Sequence, residues 1–209
     1  MEASTILTSV RRVLRDTGGT RWSDSVLFDY LTQAELELVR VKPWAYTLTR
    51  VVKLTPNEVR HEVLPPGAIS LLRVERNMGD ADGKSPGKMI TQMEKALLDA
   101  SNKNWVGDSG EEIEGWAVDS DDLKRFYTYP KAHPSVDMWV EIIVSTVPPT
   151  LTATGDAISV PEEYRVILQQ FVAGWALQED DPGADFPRGA GFIKQAYTGL
   201  GLVSPEEEE

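Results

Sequence analysis

The chain of 209 residues contains no cysteine. Disulfides, thiolate metal sites and a cysteine nucleophile are excluded, so the fold must rest on its apolar core. Histidine is scarce: only His61 and His133 occur, with no ligand spacing between them, which argues against zinc. There is no run of about 18 apolar residues, so no transmembrane helix is expected. The opening residues MEASTILTSVRR lack the charged-then-apolar pattern of a signal peptide. No internal repeat of fixed period is visible. Positive charge is in deficit, with 21 Lys and Arg against 33 Asp and Glu, a net charge of −12 that falls to −8 when the four glutamates 206–209 are set aside. An acidic surface repels nucleic-acid phosphate and argues against sequence reading, though not against a wall that DNA slides past. The remainder, 41% hydrophobic and 26% charged, has the composition of an ordinary soluble globular protein of one large or two small domains.

Two helices are expected at the start. Ile6, Leu7, Val10, Val13 and Leu14 form a stripe that predicts a helix over Thr5–Asp16, ended by Gly18-Gly19. The organising stretch is Thr20–Trp44, TRWSDSVLFDYLTQAELELVRVKPW. Ser23 is a good N-cap, Asp24 suits the positive helix end, and Pro43 bars continuation. Val26, Leu27, Tyr30, Leu31, Ala34, Leu38 and Val41 share one face, while Phe28, Leu36 and Val39 form a smaller opposite strip. Two strips point to packing on two sides, within the subunit and against a neighbour; a central core helix is the alternative.

Strand-like texture follows. Tyr46–Leu54, Ile69–Val74, Lys88–Met93, Gly115–Val118, Arg125–Tyr129 and Met138–Ser145 are strand candidates, with a short helix over Glu94–Ala100 and a Gly- and Pro-rich loop over Met78–Lys88. Helix returns near Pro161, with a main stripe of Tyr164, Ile167, Leu168, Phe171 and Trp175 and a minor one of Val166, Ala173 and Leu177. A last helix over Pro187–Leu200 is weakened by Gly189 and Gly191. The expected fold is α+β: a discontinuous α-helical bundle domain (residues 1–45 and 148–200), a β-rich insertion (46–147) and an extended acidic C-terminal tail (201–209).

No catalytic, cofactor or metal residue is assigned. Gly107-Asp108-Ser109-Gly110 spells the fragment around a serine-protease nucleophile, but the only upstream histidine, His61, stands in VRHEV, so an exposed turn is expected. Gly79–Ser85 is one residue out of register with a phosphate loop, and Pro86-Gly87 breaks the helix that should follow. Asp119, Asp121 and Asp122 begin like a calcium loop, but Lys124 and Pro130 stand where glycine and glutamate are needed; a solvated turn is expected.

Several stretches, in order, resemble the head-to-tail adaptor (connector) proteins of short-tailed bacteriophages. They are Arg21–Ala45, LPPGAISLLRVERN (Leu64–Asn77), the Leu97–Trp105 region, FYTYP (Phe126–Pro130), STVPP (Ser145–Pro149) and ISVPEEYRVILQQFVAGWALQEDD (Ile158–Asp181). The final helix is less clean than that family's, and Met78–Lys88 and Ser101–Ile113 match loosely. The resemblance implies a virion structural protein without enzymatic activity or cofactor, made in the host cytoplasm and placed at the head-to-tail interface. It implies a closed homo-oligomeric ring of about twelve copies, docked under the portal protein. Such a ring carries the tail nozzle and tail fibre proteins and forms part of the DNA ejection channel, with no membrane contact and no sequence recognition of the passing genome. The second strips place subunit–subunit contacts at Phe28, Leu36, Val39, Val166 and Leu177. The chain beyond the last helix, with Leu200, Leu202, Val203, Pro205, Glu206 and Glu207, is the expected portal-docking element. The other functional classes left open are a monomeric hydrolase with scattered carboxylates and an acidic DNA-mimic interaction module.

Overall fold

The computed structural model describes residues 1–62, 64–119, 122–179 and 184–202. The fold is α+β, with five α-helices and ten strands among those residues. The chain divides into two compact units: Met1–Tyr46 together with the part from Pro148 onward, and Thr47–Val147.

The first unit is helical. Helix α1 spans Ala3–Leu14 and α2 spans Asp24–Val41. Chain returning from residue 148 then leads through a 3-10 turn at Glu162–Tyr164 to α4 (Arg165–Gln178) and α5 (Phe186–Gly199). The free N–H groups of Ala3 and Ser4 at the start of α1 donate to the Asp156 and Thr154 carbonyls. The helix ends at Leu14, earlier than the glycine pair suggested, because Arg15 takes the left-handed conformation (φ 57°). Ser23 caps α2 as expected, accepting the Val26 N–H.

The centre of this unit is α4 rather than α2. Ile167, Leu168, Phe171, Val172, Ala173, Gly174, Ala176 and Leu177 are all buried, and α1, α2 and α5 pack around them. The Phe171 ring stacks on Trp175 at 5.2 Å and meets the Tyr197 ring edge-on at 5.2 Å. Tyr30 of α2 completes the cluster, 6.4 Å from Trp175.

The two glycines read as flaws in α5 have different roles. A Cβ on Gly189 would lie 2.8 Å from the Gly174 carbonyl oxygen, and one on Gly174 would lie 3.0 Å from the Gly189 carbonyl oxygen. The α4 and α5 backbones thus meet glycine to glycine, which brings the helices closer than side chains allow. Gly191 faces open space. Gly189→Ala is expected to destabilise this unit by about 1–3 kcal/mol through overpacking, and Gly191→Ala to stabilise it by about 0.5–1 kcal/mol through helix propensity. Denaturant midpoints of the two variants check the contrast.

The second unit is β-rich. Its elements in order are β1 (Thr47–Lys53), β2 (Arg60–His61), β3 (Ala68–Met78), β4 (Pro86–Met89), β5 (Thr91–Gln92), α3 (Lys95–Ser101), β6 (Ser109–Gly110), β7 (Gly115–Val118), β8 (Phe126–Tyr129), β9 (Lys131–Ala132) and β10 (Trp139–Thr146). One sheet has the order β1-β10-β3-β4, a second β2-β8-β7-β5, and β6 pairs with β9. On β10 the buried Val140, Ile142 and Val144 lie opposite Val52, Arg50 and Leu48 of β1. They join Leu54, Leu71, Val74, Ile90, Ile113, Trp116, Phe126 and Met138 in one core. The expected loop over Met78–Lys88 is instead a hairpin: Gly79 N–H donates to the Ser85 carbonyl, and β4 pairs with β3 from Pro86. The two-residue strands β2, β6 and β9 are too short to leave a period in the sequence.

Buried polar groups fix this unit further. The Asn77 amide behaves as a one-residue strand: Nδ2 donates to the Ile113 carbonyl at 2.7 Å and Oδ1 accepts the Ile113 N–H at 2.9 Å. His61 is fully buried, with Nδ1 accepting the Thr55 N–H and Nε2 facing Thr128 Oγ1 at 3.1 Å. Because Nδ1 must accept, Nε2 carries the proton and the ring is neutral; burial pushes its pKa down to about 4.

Candidate interaction surfaces

The α1–α2 corner is built on Asp16. Its carboxylate, buried in the turn, accepts the N–H groups of Thr20, Arg21 and Trp22 and pairs with Arg11 at 3.2 Å. Burial alone would raise this carboxyl, but the Trp22, Thr20 and Arg21 N–H groups and the Thr20 hydroxyl hold it below the ordinary range. Arg11 also binds the Trp22 carbonyl and Asp24. Trp22 is thereby aimed inward, where its indole N–H donates to the Ala176 carbonyl of α4. Arg188 of α5 donates to the Val13 carbonyl near the C-terminal end of α1. This corner is structural machinery, and its only signal in the sequence is the Ser23 cap.

Two of the three residues in the second strip of α2, Phe28 and Val39, do not face outward, whereas Leu36 does. Phe28 and Val39 are buried within the unit, as is Leu177 of α4. The reason lies on the Phe28, Thr32, Glu35, Val39 face, whose residues recur at helical spacing. Thr32 Oγ1 accepts the Leu151 N–H, and Glu35 Oε1 accepts the Ser159 N–H. The returning segment, with buried Leu151, Ile158 and Val160, therefore covers this face from within the same unit. The exposed strip of α2 is Asp29, Gln33, Leu36 and Arg40, mostly polar. Of the five residues expected at a subunit contact, Leu36 (41% exposed) and Val166 (59% exposed) are at the surface.

Beyond α5 the expectation also changes in part. Leu200 is buried, its N–H turned back to the Ala196 and Tyr197 carbonyls. Leu202 is 41% exposed. Val203, Pro205, Glu206 and Glu207 lie outside the described residues.

The surface of the β-rich unit carries exposed Met89, Leu97, Val106, Leu123 and Val136 among ion pairs such as Lys53–Asp137 and Arg76–Glu141. The motif fragments have structural roles there. Ser109 and Gly110 form β6 and pair with Lys131 and Ala132 rather than making a free turn. Asp82 in the β3–β4 hairpin binds Lys84 through both its backbone N–H and its ammonium group. Asp119, expected on a solvated turn, is buried and accepts the Arg60 guanidinium. A cleft of about 250 Å³ brings Glu111, Glu112 and Asp137 together with Asn77, Met78 and Trp139. That volume lies below the common range for ligand pockets, about 300–1,000 Å³. Among the described residues, no group of three or more His, Asp or Glu side chains is placed to hold a metal ion, and no helix is long and apolar enough to cross a membrane.

Among the described residues, the two units carry exposed apolar side chains such as Leu36, Val166 and Met89 at their surfaces. No curated protein matches it. The model of the family described as SU10 adaptor protein matches residues 1–208. With the match running over nearly the whole chain and both units, this protein belongs to the SU10 adaptor family, a family of phage adaptor proteins.

Proposed function

We propose that this chain is a head-to-tail adaptor of a short-tailed phage. Copies close into a ring of about twelve through head-to-tail contacts. The ring docks under the portal, carries the tail nozzle and fibres, and forms part of the channel through which DNA leaves. The observation that carries this reading is the family match over residues 1–208. The acidic composition, −12 overall, suits a bore that passes DNA without holding it. Purified chain mixed with assembled portal tests the reading, by co-migration and by electron microscopy of the product.

The contact residues are Leu36 and Val166, the two of the expected set that stand exposed. Leu36→Asp and Val166→Asp are each expected to leave the subunit folded, with stability within about 0.5 kcal/mol of the parent, and to weaken ring closure. Phe28→Asp and Val39→Asp are expected to unfold the helical unit instead, since both side chains are interior. Melting curves paired with particle mass separate the two groups.

The segment from residue 201 onward is the portal-docking element in this proposal. Leu202 supplies an exposed apolar anchor, and the acidic run at 206–209 suits a basic patch on the portal. Deleting residues 201–209 is expected to abolish docking while leaving the melting of both units unchanged. Unchanged portal affinity in the truncated chain would remove the segment from the docking surface.

A further inference from the structure

Glu35 lies in the middle of α2 and is completely buried. Its Oε1 accepts the Ser159 N–H at 2.6 Å, and the Val160 N–H also bonds to the carboxyl group. Its Oε2 has no hydrogen-bond partner among the described residues. Several charged groups on the surrounding elements are committed elsewhere. On α2, Glu37 pairs with Arg40 and accepts the Tyr197 hydroxyl of α5. On α1, Arg11 is held by Asp16 and Asp24. On the returning segment, Asp156 accepts the Thr152 and Ala153 N–H groups. Before and within α4, Glu162 pairs with Arg165, and on α5 Arg188 reaches Val13. No cation among these neutralises Glu35.

We propose that Glu35 is a proton-controlled latch: closure of the Leu151–Val160 segment on α2 takes up a proton at Glu35, and release of the segment returns it to water. A dry site with one unpartnered oxygen disfavours the carboxylate over the neutral acid. An opened segment lets water reach the group, where it ionises as an ordinary glutamate. Burial raises the Glu35 carboxyl above its ordinary value, against the lowering effect of the Ser159 and Val160 N–H groups. With the closed-state value raised, the contribution to closure is complete below the ordinary glutamate range and is lost as pH rises through the raised value. Thr32, which accepts the Leu151 N–H, is not titratable, so the latch at Ser159 and Val160 carries the pH response.

Amide hydrogen exchange on the full chain tests this, read at Leu151, Ser159 and Val160 and corrected for intrinsic rates, in the parent and in Glu35→Gln. From about pH 5.5 to about pH 8, opening at Ser159 and Val160 is expected to rise at least about threefold in the parent and to stay level in Glu35→Gln. A carbon-13 titration of the parent is expected to place the Glu35 carboxyl above the ordinary glutamate range, and it decides the matter alone should Glu35→Gln fail to fold. A Glu35 carboxyl titrating at or below that range overturns the proposal, as does the same pH-dependent opening in both proteins.

Discussion

Phe171→Asp is expected to yield no folded helical unit. The Phe171 side chain is fully buried on α4, the helix on which α1, α2 and α5 all pack. Losing the ring removes its contacts with Trp175 and Tyr197 and leaves a cavity, a change that costs about 3–5 kcal/mol in comparable cores. A carboxylate in that space adds an unpaired buried charge, worth several kcal/mol more. The sum reaches the whole stability of a typical domain, about 5–15 kcal/mol. Far-ultraviolet circular dichroism and the soluble yield are the readouts. Phe171→Leu, which keeps the site apolar, should remain folded with a lowered melting point. A soluble Phe171→Asp protein with a cooperative melt would mean that α4 is not the centre of its unit.

Acid should destabilise the β-rich unit through a single histidine. The His61 pKa is depressed to about 4 by burial. A group depressed in the folded state gives its stability above the unfolded value, about 6.5, and loses it as pH falls toward the folded value. The difference corresponds to about 3 kcal/mol lost between neutral pH and about pH 4. The structural cause is plain: a proton on Nδ1 would displace the Thr55 N–H that this nitrogen accepts. Denaturant unfolding at neutral and acid pH, in the parent and in His61→Gln, isolates the effect from carboxylates that titrate in the same range. The parent should lose about 3 kcal/mol more than the variant; equal losses would assign the acid response to other groups.

The elements that pack by periodicity were legible in the sequence. Residues 24–41 show the helical spacing and the Ser23 cap, and β10 shows the alternation of Val140, Ile142 and Val144. What could not be read depends on chain that is remote in sequence. A face covered by Leu151–Val160 and a face left for another subunit have the same apolar spacing, so Phe28 and Val39 read as an outward strip. Thr32 and Glu35, polar positions between them, were the available signal that backbone from elsewhere crosses there. Gly189 read as a weak point in α5 because its role is set by the approach of Gly174, fifteen positions earlier on another helix. Leu200 read as unburied because α5 was followed to its end without the turn that folds it back onto Ala196 and Tyr197. Asp16, Asn77 and His61 carry buried polar bonding in their units, and no residue spacing around them marks them as buried. Of the candidate contact residues among those described, Leu36, Val166 and Leu202 are at the surface.

The central claim is assembly with a portal, and mass is its most direct measure. Size-exclusion chromatography with light scattering should be run on the chain alone and on the chain mixed with assembled portal ring. The adaptor reading expects a stoichiometric complex in which about twelve copies add to each portal ring, whether or not the chain forms rings by itself. A chain that stays monomeric or dimeric and elutes apart from the portal contradicts it.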